Sequence, residues 1–335
     1  MTAVPPLPAR ARPAGAAPVT DGLVVVDKPA GWTSHDVVAR CRRIYGQRRV
    51  GHSGTLDPGA TGVLLVGLGR ATRLLRLLTD LPKQYVGEIV LGVATSTLDD
   101  EGEETGRWDM TRVTDAEVRA AVAALTGSIL QIPPMVSAVR VGGRRLHELA
   151  RDGIEVEREA RPVTVHRFAA RRAGEPGVWR VEVTCSSGTF VRVLAADLGA
   201  ALGGGAHLRR LRRTAIGSFG LAVARPLEQV EADPAAAVLS PAAALIDYAG
   251  IRVGPDIAAM VVHGRPLPAQ RLGVEGPGPW AVCDAEGGLL AVYEDRGPRE
   301  AGAREAGAAS SAGQGRAGVG PARVLHPGVV IAGTG

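Results

Sequence analysis

Aromatic side chains make up only 3% of this 335-residue chain, and its cysteines are limited to Cys41, Cys185 and Cys283. Three scattered cysteines with no Cys-x-x-Cys pair exclude a disulfide framework and a thiolate zinc site. His147-Glu148 opens like a zinc-protease helix, but Arg151 stands where the second histidine would be needed, so no metal is expected. No apolar run approaches the roughly 20 residues that cross a bilayer. The first twenty residues lack a signal-peptide core, and Pro5, Pro6, Pro8 and Pro13 oppose helix formation. Residues 1–20 are therefore expected to be a disordered tail, and the protein soluble and cytoplasmic.

What the chain does have is arginine in groups: Arg40, Arg42, Arg43, Arg48 and Arg49; Arg140, Arg144 and Arg145; Arg209, Arg210, Arg212 and Arg213. With a net charge of +5 and a pI near 9.5, such groups suit a polyanion, because each phosphate contact releases counterions. They read equally as solvated faces of an arginine-rich protein.

The length suggests about two domains. Gly22-Leu23-Val24-Val25-Val26 predicts a buried strand, followed by Ser34 as N-cap of a helix over Asp36 to Tyr45. Strand-like segments at Tyr85–Gly92, Val163–Ala169 and Val178–Cys185 alternate with helical ones at Asp115–Thr126 and Val191–Leu202. This mixture predicts an α+β domain over 21–240 with a mixed, mainly antiparallel sheet. Alanine- and proline-rich sequence at 233–247 predicts a linker, and short strand-like pieces after it a small β-rich domain over 248–335. Within that domain, 297–321 has almost no large apolar residue and is expected to be a disordered insertion.

The loop Gly51-His52-Ser53-Gly54-Thr55-Leu56-Asp57-Pro58-Gly59-Ala60-Thr61-Gly62 presents one carboxylate between glycines and proline, backed by Val63-Leu64-Leu65-Val66. It contains no second acid to complete a metal site or an acid/base pair, and no Gly-Lys-Ser/Thr follows to hold a nucleotide phosphate. Residue chemistry alone favours an Asp-Pro turn with Thr55 and Asp57 bonded to backbone over a reactive acid.

Five further segments stand in order around it: Asp27-Lys28-Pro29-Ala30-Gly31, Lys83-Gln84-Tyr85, Gln131-Ile132-Pro133-Pro134, Ser187-Gly188-Thr189-Phe190-Val191-Arg192, and Asp197-Leu198-Gly199. Together with the loop, over roughly residues 22 to 232, they resemble the TruB family of bacterial tRNA pseudouridine synthases. The resemblance implies a pseudouridine synthase fold with a PUA-like C-terminal domain, Asp57 as the catalytic residue, Arg192 as its ionic partner and Tyr85 stacked on the target base. It also places Lys28 beside the active site, Phe190 and Leu211 in the pocket wall, and His52 near the flipped nucleotide. The arginines beside Leu211, Arg213 among them, would face phosphates. Residues 131–162, with Arg144 and Arg145, would form an insertion gripping the T-arm of tRNA. Ser96 departs from the Asp of many relatives, while Asp99 remains; altered substrate-loop contacts are expected from this, not loss of chemistry.

The implied reaction is the isomerisation of the T-loop uridine, position 55 of tRNA, without cofactor, and nothing in the sequence demands more than a monomer. The glycosidic bond must break, the base rotate, and C5 bond to C1′, after the base has been flipped from its stack. Asp57 would act as nucleophile or as the group that opens the glycosidic bond. A carboxylate in a water-excluding pocket needs a nearby cation to stay ionised, which Arg192 would supply. Two other readings stand beside this one: a tRNA-folding chaperone, which can coexist with the enzyme, and a synthase acting on ribosomal or messenger RNA.

Overall fold

The computed structural model describes residues 20–296 and 323–332. The expected 297–321 insertion, and all of the expected tail except Thr20, lie outside them.

A ten-stranded sheet carries the larger part of the chain. Its strands run Val238–Leu239, Gly22–Lys28, Thr61–Leu68, Ala206–Ile216, Lys83–Leu91, Val178–Cys185, Arg161–Arg172 and Gly127–Gln131, with Val50–Ser53 and Phe219–Gly220 as side branches. Pairing within it is antiparallel apart from Ala206–Ile216 against Thr61–Leu68, which run parallel through Arg212↔Thr61 and Arg213↔Gly62. The unbroken apolar runs of the first strands have a simple cause, since both faces are covered. Val24, Val26, Leu64 and Val66 pack with Val37, Val38 and Cys41 of the helix Ser34–Ile44. Leu23, Val25, Val63 and Leu65 point the other way, into a cluster with Ala281, Leu289, Val292 and Val329 of the C-terminal strands.

The other half of the sheet is covered on one face only. Ile89, Val165, Phe168, Val181 and Val183 bury against Val118 and Val122 of the helix Asp115–Ala124 and Leu194 and Leu198 of the helix Val191–Ala201. The alternate residues Glu88, Arg180, Glu182 and Arg210 are left on the open face. Asp57 sits where the two halves meet. Gly62 makes that junction possible: its φ is +103°, and a Cβ there would lie 2.1 Å from the carbonyl oxygen of Arg213.

The C-terminal residues form a five-stranded sheet in the order Ala249–Arg252, Trp280–Cys283, Leu289–Glu294, Val324–Val330, Leu267–Pro268. The expected linker before it is built into the fold. Val238 and Leu239 pair with Val24 and Leu23 at the edge of the large sheet, and Ala244 and Leu245 are core residues. Its alanines read as a linker because they are small, but small side chains also suit close packing at a sheet edge. Arg73 donates to the carbonyl of Val330 and Tyr248 to that of Leu77, joining the two sheets further.

Candidate active site

Four polar anchors hold the loop that carries Asp57. Arg213, 1% exposed, donates from Nη2 to the carbonyl of Gly54 (2.9 Å) and from Nε to that of Val63 (2.7 Å), spanning the loop from its entry to the strand behind it. Ser34 Oγ accepts from the amide of Leu56 (2.9 Å) and donates to its carbonyl (3.2 Å). Lys28 Nζ donates to the carbonyls of Pro58 (3.1 Å), Pro29 (2.9 Å) and Trp32 (2.6 Å), and the amide of Gly31 also donates to Pro58. Asp57 is therefore flanked on both sides by restrained backbone. Ser34 is not the N-cap expected from the sequence; Thr33 caps the helix in a reciprocal box with Asp36, which frees the Ser34 hydroxyl for the loop.

The charge partner of Asp57 comes from the first turn of the helix Val191–Ala201. Arg192 Nε lies 2.9 Å from Asp57 Oδ2. Its Nη1 donates to the carbonyl of Thr97 (2.9 Å) and lies 3.4 Å from Asp99 Oδ2, while Nη2 donates to the carbonyl of Val136 (2.9 Å). One guanidinium thus ties together the Asp57 loop, the Ser96-to-Asp99 turn and the 131–162 insertion. The burial expected of the acid falls on its partner: the Arg192 side chain is 5% exposed, the Asp57 side chain 45%. The helix start is fixed by buried Gln131, whose side-chain amide exchanges hydrogen bonds with both backbone groups of Phe190.

Two cavities share Asp57 and Arg192 as a common wall. The smaller, about 340 Å³, is lined by Tyr85, Phe190, Leu211, Lys83, Ser137 and Val139. The larger, about 710 Å³, is a groove along the open sheet face lined by Glu88, Arg180, Arg209, Arg210, Arg212 and Asp99. The first has the mixed apolar and polar wall of a small-ligand site; the second sets guanidinium groups among carboxylates, Asp100, Glu101 and Glu182 included. Burial pushes the Tyr85 hydroxyl above its ordinary pKa, and Arg213, directly opposite on the neighbouring strand, pulls it back. Burial also lowers Lys28 to about 8 against the opposing pull of the Asp57 charge, and lowers Lys83 to about 8.

Three family models tile this arrangement. TruB family pseudouridylate synthase (N terminal domain) matches residues 42–191, the tRNA pseudouridylate synthase B C-terminal domain 192–242, and tRNA Pseudouridine synthase II, C terminal, 248–302. The chain belongs to the TruB family. It is a pseudouridine synthase, an isomerase.

Relatives of this TruB-family synthase include tRNA pseudouridine synthase B of Mycobacterium tuberculosis (strain ATCC 25618 / H37Rv), 48% identical over 281 residues that span 83% of this chain and 93% of the relative. The protein of the same name from Mycobacteroides abscessus is 49% identical over 289 residues, with the same coverages. Among solved structures, one chain of the crystal structure of a Cbf5-Nop10-Gar1 complex superposes with a TM-score of 0.64 at 26% identity, covering 82% of this chain and 78% of that one.

The synthase's structure gathers Asp57, Arg192, Tyr85, Phe190 and Leu211 at the two cavities, with Lys28 buried behind the loop. Arg213 departs from the sequence expectation. It is buried at the parallel strand junction with its guanidinium donating to carbonyls, and it lines the smaller cavity, not the groove. His52 lines neither cavity; its ring packs edge-on to His35 at 5.3 Å, and its buried Nδ1 has no partner among the described residues. Burial lowers its pKa to about 4. Arg144 is bonded to Asp152, and neither Arg144 nor Arg145 lines the cavities at Asp57. Sequence reasoning missed the direct anchoring by Ser34 and the second carboxylate on Arg192, Asp99. The sequence offered Ser34 as a helix cap and Asp99 as the acid that remains beside Ser96, but only three-dimensional proximity assigns them this work. Ser96, at the departure from many relatives, accepts a bond from the amide of Glu103 and stays exposed.

Proposed function

We propose that this synthase converts the T-loop uridine of tRNA, position 55, to pseudouridine, acting as a cytoplasmic monomer. The reading rests on one observation: the Asp57–Arg192 pair stands at the shared wall of a nucleoside-sized cavity and an arginine-lined groove. The names of the relatives support tRNA as the RNA.

RNA backbone lies in the groove and the flipped uridine enters the smaller cavity, with its base against Tyr85 and between Phe190 and Leu211. Stacking on an aromatic ring and apolar flanks offsets the lost base stacking. Asp57 supplies the negative charge against which the N1–C1′ bond opens; the base turns, C5 bonds to C1′, a proton leaves C5, and N1 gains one. No electrons are gained or lost overall. Arg192, held by three further oxygens, keeps a positive charge fixed against Asp57 as RNA covers it and excludes water. The 131–162 insertion, keyed to Arg192 through Val136, grips the T-arm.

The test is tritium release from tRNA carrying uridine tritiated at C5. Release is expected from wild type and not from Asp57→Ala, nor from a transcript with cytidine at the target position. Wild-type protein that binds tRNA tightly without release would overturn the reading. A chaperone activity on tRNA accompanies the isomerisation in this proposal, because the arginine-lined groove reaches well beyond the reacting base.

A further inference from the structure

The groove proposed to take RNA carries carboxylates where a polyanion should be repelled, Asp99, Asp100, Glu101 and Glu182 among them, and Glu88 stands where three of the groove's arginines converge. Glu88 lies in the middle of the open sheet face, its side chain 14% exposed. Its strand is central, and its cross-strand neighbours are both arginines, Arg180 on one side and Arg210 on the other. A break in register between Leu208 and Arg210 adds a third. This bulge sets two consecutive residues of one strand opposite Glu88, so Arg209 and Arg210 converge on it instead of pointing to opposite faces.

The three guanidinium groups are not used alike. Arg209 is committed to protein: Nη2 and Nε donate to Glu88 Oε2 at 2.8 and 3.1 Å, and Nη1 donates to both carboxylate oxygens of Glu175 at 2.8 and 3.0 Å. Arg180 and Arg210 touch Glu88 only at long range, Nε to carboxylate 3.8 Å in each case. Among the described residues neither has a hydrogen bond that occupies its Nη groups, and Arg210 is 76% exposed. Arg180 and Arg210 flank the central strand from its two sides, and like charges so placed repel and splay apart unless an opposite charge stands between them. Glu88 is placed to do this. The hydrogen bond from Arg209 holds its carboxyl below the ordinary range, so it is ionised whenever RNA is bound at neutral pH.

We propose that Glu88 is a positioning residue for substrate RNA: held by Arg209, it draws Arg180 and Arg210 into a fixed pair whose outward Nη groups bind neighbouring backbone phosphates. This deepens the reading that the groove takes RNA. Its consequence has a distinctive sign. Removing a negative charge from an RNA-binding groove ordinarily tightens binding; here it loosens it, since two disordered arginines lose more than one carboxylate repels.

The experiment measures affinity for a tRNA transcript over a series of salt concentrations, with tritium release alongside, for wild type, Glu88→Gln, Glu88→Asp and Arg180→Ala/Arg210→Ala. Glu88→Gln is expected to weaken binding about fivefold or more and to lower the slope of log affinity against log salt by about 1 to 2. KM rises and kcat at saturating RNA stays close to wild type. Glu88→Asp keeps the charge with a shorter reach, and falls between wild type and Glu88→Gln; it also serves if the amide variant folds poorly by melting temperature. Binding by Glu88→Gln that is as tight as wild type or tighter overturns the proposal. If the double arginine variant also binds as wild type, it is the placement of RNA in this groove that fails.

Discussion

Ser34 and Leu56, 22 residues apart, exchange two hydrogen bonds immediately before Asp57. The helix Ser34–Ile44 therefore sets the position of the acid through a single buried hydroxyl. Ser34→Ala leaves the Leu56 amide and carbonyl unpaired inside the protein. A stability loss of about 1–3 kcal/mol is expected, with a fall in kcat of about tenfold as the loop loosens. Thermal melting and tritium release under saturating RNA measure the two separately; unchanged kcat in a destabilised variant would show that the loop is held well enough without it.

Asp57→Asn keeps the shape of the loop and removes the charge facing Arg192. Because Arg192 retains Thr97, Val136 and Asp99, the fold is expected to melt within a few degrees of wild type while isomerisation is abolished. Assistance to tRNA refolding, followed by native gel or by aminoacylation, is expected to survive. Arg192→Lys has one ammonium for four oxygen partners and is expected to lose about 100-fold in kcat.

Tyr85→Phe retains the ring against which the base is proposed to stack and removes only the hydroxyl. Near-normal KM with a drop in kcat of about 100-fold is expected if the hydroxyl takes part in proton transfer from C5. Tyr85→Leu removes both contributions and should raise KM as well. Equal kinetics for Tyr85→Phe and wild type would assign Tyr85 to stacking alone.

The pH profile follows from the two buried lysines, Lys28 and Lys83, each lowered by burial from 10.5 to about 8. Between pH 8 and 10.5 the unfolded chain binds more protons at these sites than the folded one, so their contribution to folding stability rises with pH across that window. Activity goes the other way: a neutral Lys28 has two protons for three carbonyls and no longer places a positive charge beside Asp57. An alkaline limb centred near pH 8 is expected in single-turnover rates, without loss of melting temperature. His52, lowered to about 4, should contribute no limb between pH 5 and 7, a point checked with His52→Gln.

Gly62 carries the parallel contact between Thr61–Leu68 and Ala206–Ile216 at a φ of +103°, where a Cβ would meet the Arg213 carbonyl. Gly62→Ala is expected to cost about 2–4 kcal/mol and to reduce activity with it, since Arg213 also anchors the Asp57 loop. Denaturant unfolding is the direct measurement.

Much of this protein was legible in the order of its residues. The strand at Val178–Cys185 appears with the bounds its alternation predicts, and apolar runs such as Val24-Val25-Val26 announce strands covered on both faces. The Asp57 loop and the Arg192 segment are local motifs, readable because a turn and a helix start are written by neighbouring residues. Partnership across the chain is not local. Arg213 had the composition of a phosphate ligand and became a buried anchor because strand pairing turned it inward; Ser34 looked like a cap until Thr33 took that place. Glu88 stood alone in its strand, and only sheet register and a one-residue bulge on the next strand brought three arginines to it. Periodicity and motif determined which elements form and which acid is presented. Register and burial, set by contacts between distant segments, decided what each charged side chain faces.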